Sequence, residues 1–281
     1  MKIGVSTYSF KKYMTQSGCS LFDVCDKAKE LGFDGISFIE IPAESHEERL
    51  EMAKKLREKC ESLSLLIGAY TVGANFLSED IEKEKARLRD CIDVAEVLGA
   101  PIMRHDVASS LKKQPLYSYR QAIEEMAPHI REISLYAKAK GIKTCSENHG
   151  YIFQAPLRVE ELILAVNEPN YGWLCDIGNF LCADAEPASS VAIAAPYTVH
   201  VHVKDFLYKS GDGRIPPKFF RTTGGNYLRG TVIGHGVVPV ERCLGILKRA
   251  GYDGMITVEF EGTEDNIEAL RDGIAFLKPI V

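Results

Sequence analysis

Residues 198–205 read TVHVHVKD, an alternation of valine with ionisable side chains. Successive side chains of a β-strand point to opposite faces, so His200, His202 and Lys204 share the face that the valines do not occupy. Helices packed on the valine face would leave the polar face directed into an enclosed interior. Residues 255–261 repeat the pattern, with Glu259 and Glu261 on the polar face. Both segments are typical of strands in a β/α barrel, whose sites lie at the carboxyl ends of the strands.

Short strand-like runs of this kind alternate with amphipathic helical segments along all 281 residues. This alternation is typical of a parallel sheet built from β/α units. Eight strands are predicted, at Ile3–Phe10, Gly35–Ile41, Leu66–Val72, Pro101–Asp106, Ile142–Asn148, Gly172–Ile177, Thr198–Asp205 and Met255–Glu261. Eight helices are predicted, from Ser20 to Gly32 and near His46–Leu63, Glu79–Leu98, Tyr119–Lys140, Val159–Val166, Ala188–Ala195, Pro239–Ala250 and Glu264–Leu277. We therefore expect an α/β protein, a (β/α)₈ TIM barrel formed by a single domain over residues 1–281.

Composition and charge exclude several classes of protein. The formal net charge of −5 is unsuited to a nucleic-acid surface, which needs clustered lysine and arginine. No apolar run approaches the about 18 residues that span a bilayer, and the first residues lack a signal-peptide profile. The eight cysteines form no CxxC pair, which favours buried reduced thiols. We expect a cytoplasmic protein that acts on a small polar molecule, without nucleic-acid or membrane partners; self-association into a homo-oligomer stays open.

Four metal-type side chains fall at the ends of four consecutive predicted strands. Glu147 ends the fifth strand and Asp176 the sixth, while His202 and Glu259 come from the seventh and eighth. Ionisable groups are costly to bury without partners, and a metal ion satisfies several of them at once. The set predicts a metal site in the mouth of the barrel, with a buried ion network as the structural alternative.

The order of five short motifs resembles the xylose isomerase-like TIM-barrel superfamily, which includes sugar phosphate isomerases and epimerases, tagatose epimerases and inosose dehydratases. The motifs are SENHG at 146–150, DIGN at 176–179, HVHVKD at 200–205, GHG at 234–236 and VEFE at 258–261. The resemblance implies that Glu147, Asp176, His202 and Glu259 bind one divalent ion. Three carboxylates and one imidazole suit Mn²⁺ first, with Mg²⁺, Co²⁺ or Zn²⁺ as alternatives.

Two positions depart from relatives in this superfamily. The trinuclear endonuclease IV has a histidine three residues after the aspartate of the sixth strand, where this chain has Asn179. It also has an Asp-x-His pair before the eighth strand that this chain lacks. A single-metal site is therefore expected. Many family members have Gly-Glu-Gly where this chain has Gly234-His235-Gly236, so the resemblance assigns no role to His235.

Several further residues are expected to bind substrate because they lie at or near strand ends or in the long loop. They are His105, His149, Lys204, Arg229, Glu40 and Tyr70, with Tyr8 and Asn75 as further candidates to line the pocket. Lys204 has two readings, since it could bind a substrate oxygen or pair with Glu259 or Glu261. His200 lies deeper along its strand and is expected to be an interior histidine. Residues 207–236 have no periodic pattern, and a loop of this length at the end of a barrel strand predicts a lid or part of the pocket.

The resemblance implies a metal-dependent isomerase or epimerase of a sugar or cyclitol, in which a carbonyl and the neighbouring hydroxyl bind the ion. An enediolate would form and be reprotonated, with Glu147 and Glu259 as the catalytic acid/base pair. A dehydratase or lyase acting on a keto-sugar or inosose is the alternative, because the same intermediate can lose a β-hydroxyl. An abasic-site endonuclease and a non-catalytic sugar-binding barrel are further alternatives.

Overall fold

Eight parallel strands close into a barrel in the computed structural model, which describes residues 1–108 and 110–281. The barrel strands are β1 (Lys2–Ser6), β2 (Gly35–Ile39), β3 (Leu66–Val72), β4 (Ile102–His105), β5 (Lys143–Glu147), β6 (Tyr171–Asp176), β7 (Thr198–Val203) and β11 (Met255–Val258). Neighbours around the barrel follow chain order, and β11 pairs with β1 to close it. The prediction of a (β/α)₈ TIM barrel is confirmed.

Helices surround the barrel and follow the predicted segments closely. They are α1 (Lys11–Ser17), α2 (Leu21–Leu31), α3 (His46–Ser62), α4 (Ile81–Leu98), α5 (Tyr119–Ala139), α6 (Pro156–Val166), α7 (Pro187–Ala194), α8 (Val240–Arg249) and α9 (Asn266–Leu277). The predicted first strand, Ile3–Phe10, is too long, because a 3₁₀ turn forms at Thr7–Phe10. Helix α1, which follows this turn, was not predicted. Among the described residues, no helix is both long and apolar enough to cross a bilayer.

The two faces of β7 have the environments that its alternation predicts. Val201 and Val203 are buried in the hydrophobic core that the helices complete. On the opposite face, Nε2 of His200 lies 2.9 Å from Oγ1 of Thr257 inside the barrel, so the expected interior position of His200 is confirmed. A hydrogen bond of 3.1 Å continues from Thr257 to Ser37 on β2. This polar layer lies below the mouth and has no opening to solvent.

The prediction of an irregular segment over residues 207–236 is correct only in part, because short strands form within it. Strands β8 (Asp205–Lys209), β9 (Phe220–Arg221) and β10 (Tyr227–Thr231) form an antiparallel sheet in the order β8-β10-β9. We call residues 205–231 the hairpin unit. It leaves the barrel directly after β7, so it stands beside the carboxyl ends of the strands.

Candidate functional site

Glu147, Asp176, His202 and Glu259 converge at the carboxyl ends of β5, β6, β7 and β11. Glu147 and Asp176 are the last residues of their strands, and Glu259 directly follows its strand. One potential ligand atom from each side chain lies within 4.8 Å of the others. The barrel therefore brings together all four residues that the sequence proposed as a metal set.

Unpartnered polar atoms mark the centre of this cluster. Among the described residues, neither ring nitrogen of His202 has a hydrogen-bond partner, although the side chain is almost completely buried. Its Nδ1 lies 3.7 Å from Glu147 Oε1 and 3.6 Å from Glu259 Oε2, beyond hydrogen-bonding distance. Oδ2 of Asp176 is also buried and accepts no hydrogen bond from this part of the chain, although Lys204 lies 3.3 Å from it. Buried polar atoms in proteins nearly always have a hydrogen-bond partner or a bound ion. A divalent cation could accept lone pairs from several of these atoms at once, so the cluster could bind one.

The electrostatics of the cluster show how strongly it favours positive charge. Burial favours the neutral imidazole of His202, but the carboxylates of Glu259 and Glu147 outweigh it and raise the pKa to about 10. Burial raises the pKa of Asp176 to about 7, against the opposing effect of Lys204. Acidic oxygens thus crowd a volume with low access to water, and a cation in this volume would relieve their mutual repulsion.

Arg104 is a buried cation beside the cluster that the sequence did not single out. Its Nη2 lies 2.9 Å from Glu147 Oε2 and 2.7 Å from Asp106 Oδ1. Burial disfavours the charged form of Glu147, but Arg104 and His202 overcome it and hold the pKa of this carboxyl well below its usual range. Asn179 donates to the other oxygen of Glu147 at 2.9 Å. Glu147 is therefore a rigidly held carboxylate.

Lys204 is the buried cation beside Glu259, as Arg104 is beside Glu147. Its Nζ lies 2.9 Å from Glu259 Oε2, 3.3 Å from Asp176 Oδ2 and 3.7 Å from Glu261 Oε2. Of the two readings of Lys204, the structure shows the ion pair with Glu259. The lysine also lines the cavity described below, so the pairing does not remove it from reach of a ligand.

A cavity of about 260 Å³ opens from this cluster toward solvent, and we call it the inner cavity. It exposes Glu147, His202 and Glu259 at its base. Lys204 and Glu261 also line it, and the other lining residues come from the ends of the first five strands and from the segments that follow them: Tyr8, Lys11, Ile39, Glu40, Thr71, Val72, Gly73, Arg104 and His149. Expected pocket residues His149 and Glu40 are thus in place. Nδ1 of His149 lies 3.0 Å from Asp106, which links it through that carboxylate to Arg104.

Three residues expected to bind substrate do not line the inner cavity. His105 faces the opposite side of β4, where its ring stacks on Tyr171 at 5.9 Å and is completely buried. Tyr70 is also buried, and its hydroxyl accepts a hydrogen bond from the backbone of Ile41. Arg229 lies in the hairpin unit with its guanidinium over Phe219, 3.8 Å from Glu264. Asn75, a further candidate, also does not line the cavity.

The Gly234-His235-Gly236 turn is held by Asp205 and directs no side chain into the inner cavity. Oδ2 of Asp205 accepts hydrogen bonds from the backbone N–H groups of Gly234, at 3.0 Å, and Gly236, at 2.8 Å. A Cβ atom at Gly236 would lie 2.1 Å from Asp205 Oδ1, so the turn requires glycine there. His235 itself is exposed. The motif is explained by backbone geometry rather than by chemistry at the site.

The closed β/α barrel is a TIM barrel. Its acidic cluster lies at the carboxyl ends of the strands, where TIM barrels have their catalytic or binding sites. Residues 25–280 match the family model of xylose isomerase-like TIM barrels, and the chain belongs to this family. No curated protein matched the sequence.

Solved structures of the same fold cover nearly the whole chain at low sequence identity. A probable 3-DHS dehydratase, AsbF, involved in petrobactin synthesis in Bacillus anthracis, is 20% identical, with a TM-score of 0.76 and 99% of both chains covered. D-Psicose 3-epimerase with D-tagatose from Clostridium cellulolyticum H10 is 16% identical, with a TM-score of 0.75, covering 100% of this chain and 99% of that one. The IOLI protein with a zinc atom is 17% identical, with a TM-score of 0.75, covering 100% and 98%. At these identities the likeness shows the fold.

Proposed function

We propose that the protein is a metal-dependent isomerase or epimerase of a sugar or cyclitol, with one divalent ion held by Glu147, Asp176, His202 and Glu259. The observation that carries the proposal is the convergence of these four side chains around unpartnered nitrogens of His202. Three carboxylates and an imidazole form a hard, oxygen-rich set, which suits Mn²⁺ first. Bound there, the ion would act as a Lewis acid toward a substrate carbonyl and so acidify the neighbouring C–H bond.

The protein's own groups supply the proton transfers. Glu147 and Glu259 both face the inner cavity, and Arg104 and Lys204 favour their ionised forms. One carboxylate can remove the proton from carbon and then carries that proton as a carboxylic acid. Return of the proton to the adjacent carbon, while the hydroxyl proton moves between the two oxygens through water, gives isomerisation. Protonation of the original carbon from the opposite face by the second glutamate, after it has taken a proton from solvent, gives epimerisation. Arg104 and Asn179 orient Glu147 so that its position is set before substrate binds.

A dehydratase is the second candidate, and one observation favours it. His149 and Lys204 line the inner cavity in addition to the two glutamates, so further groups are available to protonate a departing hydroxyl. The probable dehydratase among the structures of the same fold is consistent with this reading. Elimination would begin with the same removal of a proton from carbon.

The first experiment counts divalent ions per chain in the purified protein by elemental analysis. The His202→Ala and Glu259→Gln variants are each expected to lose the single ion that the parent protein holds. Glu261→Gln is the matched control, because this carboxylate lines the same cavity outside the four-residue set, and it should retain the ion. Absence of metal from the parent protein after supplementation with Mn²⁺, Mg²⁺, Co²⁺ and Zn²⁺ would remove the proposal.

The second experiment distinguishes isomerisation or epimerisation from dehydration. Ketoses, aldoses and inososes are incubated with the metal-loaded protein in deuterated water, and products are examined by NMR and mass spectrometry. Deuterium gained at carbon without loss of water indicates isomerisation or epimerisation, whereas a product lighter by one water indicates the dehydratase. Glu147→Gln is expected to abolish either turnover. Ligand binding without turnover would indicate a sugar-binding barrel, and several zinc ions with retention of DNA would indicate an endonuclease.

A further inference from the structure

A second cavity of about 440 Å³, which we call the outer chamber, adjoins the inner cavity beneath the hairpin unit. Tyr8, His149, Lys204 and Glu261 line both spaces, so the two cavities adjoin at these residues. The inner cavity alone, at about 260 Å³, falls below the roughly 300 Å³ at which small-molecule sites begin. The site as a whole therefore has room for more than the part of a substrate that would react at the acidic cluster.

The walls of the outer chamber are aromatic and held in place. Phe220 of β9 packs edge-on against Phe206 at 5.8 Å, inside a small apolar cluster of the hairpin unit. The hydroxyl of Tyr151 donates to the backbone oxygen of Arg221 at 3.3 Å, which joins the loop after β5 to the same unit. With Tyr8 at the boundary, three aromatic side chains surround the chamber. Aromatic faces of this kind pack against the apolar faces of rings.

The polar groups of the chamber indicate what kind of ring would fit. Gln154 is already satisfied, because its amide donates to Asn179 O and accepts from Tyr151 N. Among the residues that the structure describes, Lys204 is the one lysine or arginine lining this chamber, and it is already paired with three carboxylates. A phosphate in the chamber would have to compete with those carboxylates for it. The ion pair of Glu261 with Lys204 is long, at 3.7 Å, and the carboxylate is partly exposed to the chamber. A purely apolar ring would remove water from it without replacing the hydrogen bonds, whereas ring hydroxyls can donate to it.

We propose that the outer chamber binds a second, uncharged sugar ring that is glycosidically linked to the reacting sugar. The substrate class is thus a neutral disaccharide whose reacting sugar keeps a free carbonyl, rather than a monosaccharide or a sugar phosphate. This inference rests on the proposed function, since it assumes that the acidic cluster holds the reacting ring. It adds that Tyr151 and Phe220 determine specificity without contacting the reacting atoms.

The test compares affinities by isothermal titration calorimetry on the metal-loaded protein. The probes are cellobiose, maltose and lactose against glucose, galactose and glucose 6-phosphate. At least one disaccharide is expected to bind about tenfold or more tightly than either monosaccharide or the phosphate. Phe220→Ala and Tyr151→Ala should each reduce this preference severalfold and leave monosaccharide affinity unchanged.

Tyr208→Ala is the matched control, because Tyr208 lies on β8 of the same unit with its side chain exposed and lines neither cavity. It should keep the full preference. Phe220→Leu serves if the alanine variant fails to fold. Equal affinity for the two classes, a preference for the phosphate, binding of no disaccharide, or an unchanged preference in both aromatic variants overturns the proposal. If the protein binds its ion but gives any of these results, the second-ring proposal fails and the proposed function stands. If the protein binds no metal ion, both proposals fail.

Discussion

Among the side chains near the site, Arg104 is the one whose replacement we expect to lower the stability of the fold most. It is nearly buried and pairs with Glu147 and Asp106, so a neutral side chain there removes the guanidinium that these two carboxylates share. Breaking a buried pair from one side costs about 3–5 kcal/mol. We expect Arg104→Gln to lower the free energy of unfolding by about that amount, measured by urea denaturation in the presence of a metal chelator.

The control for this substitution is Arg120→Gln. Arg120 pairs with Glu161 on the surface, with most of its side chain exposed, so solvent screens the pair and its loss should hardly change the free energy of unfolding. If the two variants lost equal stability, the role assigned to Arg104 would be wrong.

His105 should make the protein less stable in mild acid. Burial lowers the pKa of this histidine to about 4, whereas in the unfolded chain it titrates near about 6.5. Between these values the unfolded state binds more protons, so the free energy of unfolding falls as the pH falls, by up to about 1.4 kcal/mol per pH unit. His105→Leu should lose less stability than the parent protein between pH 7 and pH 5, measured by urea denaturation.

A substitution of the exposed His235 provides the comparison for this pH dependence. His235→Gln should follow the parent protein at both pH values. An unchanged pH dependence in His105→Leu would show that the buried ring is not responsible.

In the fourth strand, the sequence could not predict which side chain points into the barrel. Strict alternation in β7 settled which side chains point inward, because valines fill the other face. Strand β4 has only four residues, Ile-Met-Arg-His, and neither face is marked by apolar side chains alone. Both Arg104 and His105 are ionisable, so the pattern could not decide between them. Pairing with Glu147, a partner 43 positions away, keeps the arginine inside.

At the scale of the element, Asp184 anchors the hairpin unit to the barrel. Its carboxylate accepts hydrogen bonds from the hydroxyls of Thr222 and Thr223, from the N–H of Gly224 and from the amide of Asn226. Hydrogen bonds to a charged group contribute about 1.5–3 kcal/mol each where they are buried, and less at this exposed site.

We expect Asp184→Ala to increase amide hydrogen exchange of residues 220–227 by about tenfold or more, with little change elsewhere. Hydrogen–deuterium exchange with mass spectrometry measures this. Asp212→Ala, near the exposed tip of the same unit, is the control and should exchange like the parent protein. Unchanged exchange in Asp184→Ala would mean that contacts such as Phe220 with Phe206 hold the unit without this carboxylate.

The barrel strands could be predicted from sequence, whereas the hairpin unit could not. A barrel strand has an apolar face toward the helices, which produces a periodic pattern. Strands β8 and β10 lie outside the barrel, and their pairing combines Lys209 with Tyr227 and Leu207 with Arg229. Mixed pairs of this kind leave no periodic signal, and the pairing depends on contacts such as those of Asp184 that only the folded chain creates.

For the whole molecule, metal binding and folding should be linked. The four proposed ligands come from β5, β6, β7 and β11, so an ion bound to them ties half of the barrel strands together. A ligand at 100 times its dissociation constant stabilises the folded state by about 2.7 kcal/mol. The melting temperature should rise with added Mn²⁺ and fall again with a chelator, as followed by calorimetry. Glu259→Gln should show a much smaller rise, and an equal rise in that variant would place the ion elsewhere.

The bottom of the barrel has a consequence for how this sequence can diverge. A Cβ atom added at Gly4, Gly35 or Gly68 would lie only 2.4 to 2.6 Å from the side chain of Met255. One long, flexible thioether thus fills the space that three glycines on β1, β2 and β3 leave open. At Gly4 the nearest obstacle is this side chain rather than backbone, so the two positions should be inherited as a pair: lineages with alanine at position 4 should carry a shorter residue at 255. A Cβ atom at position 35 would lie 2.5 Å from the backbone oxygen of Leu66, and a change of side chain elsewhere cannot relieve that contact.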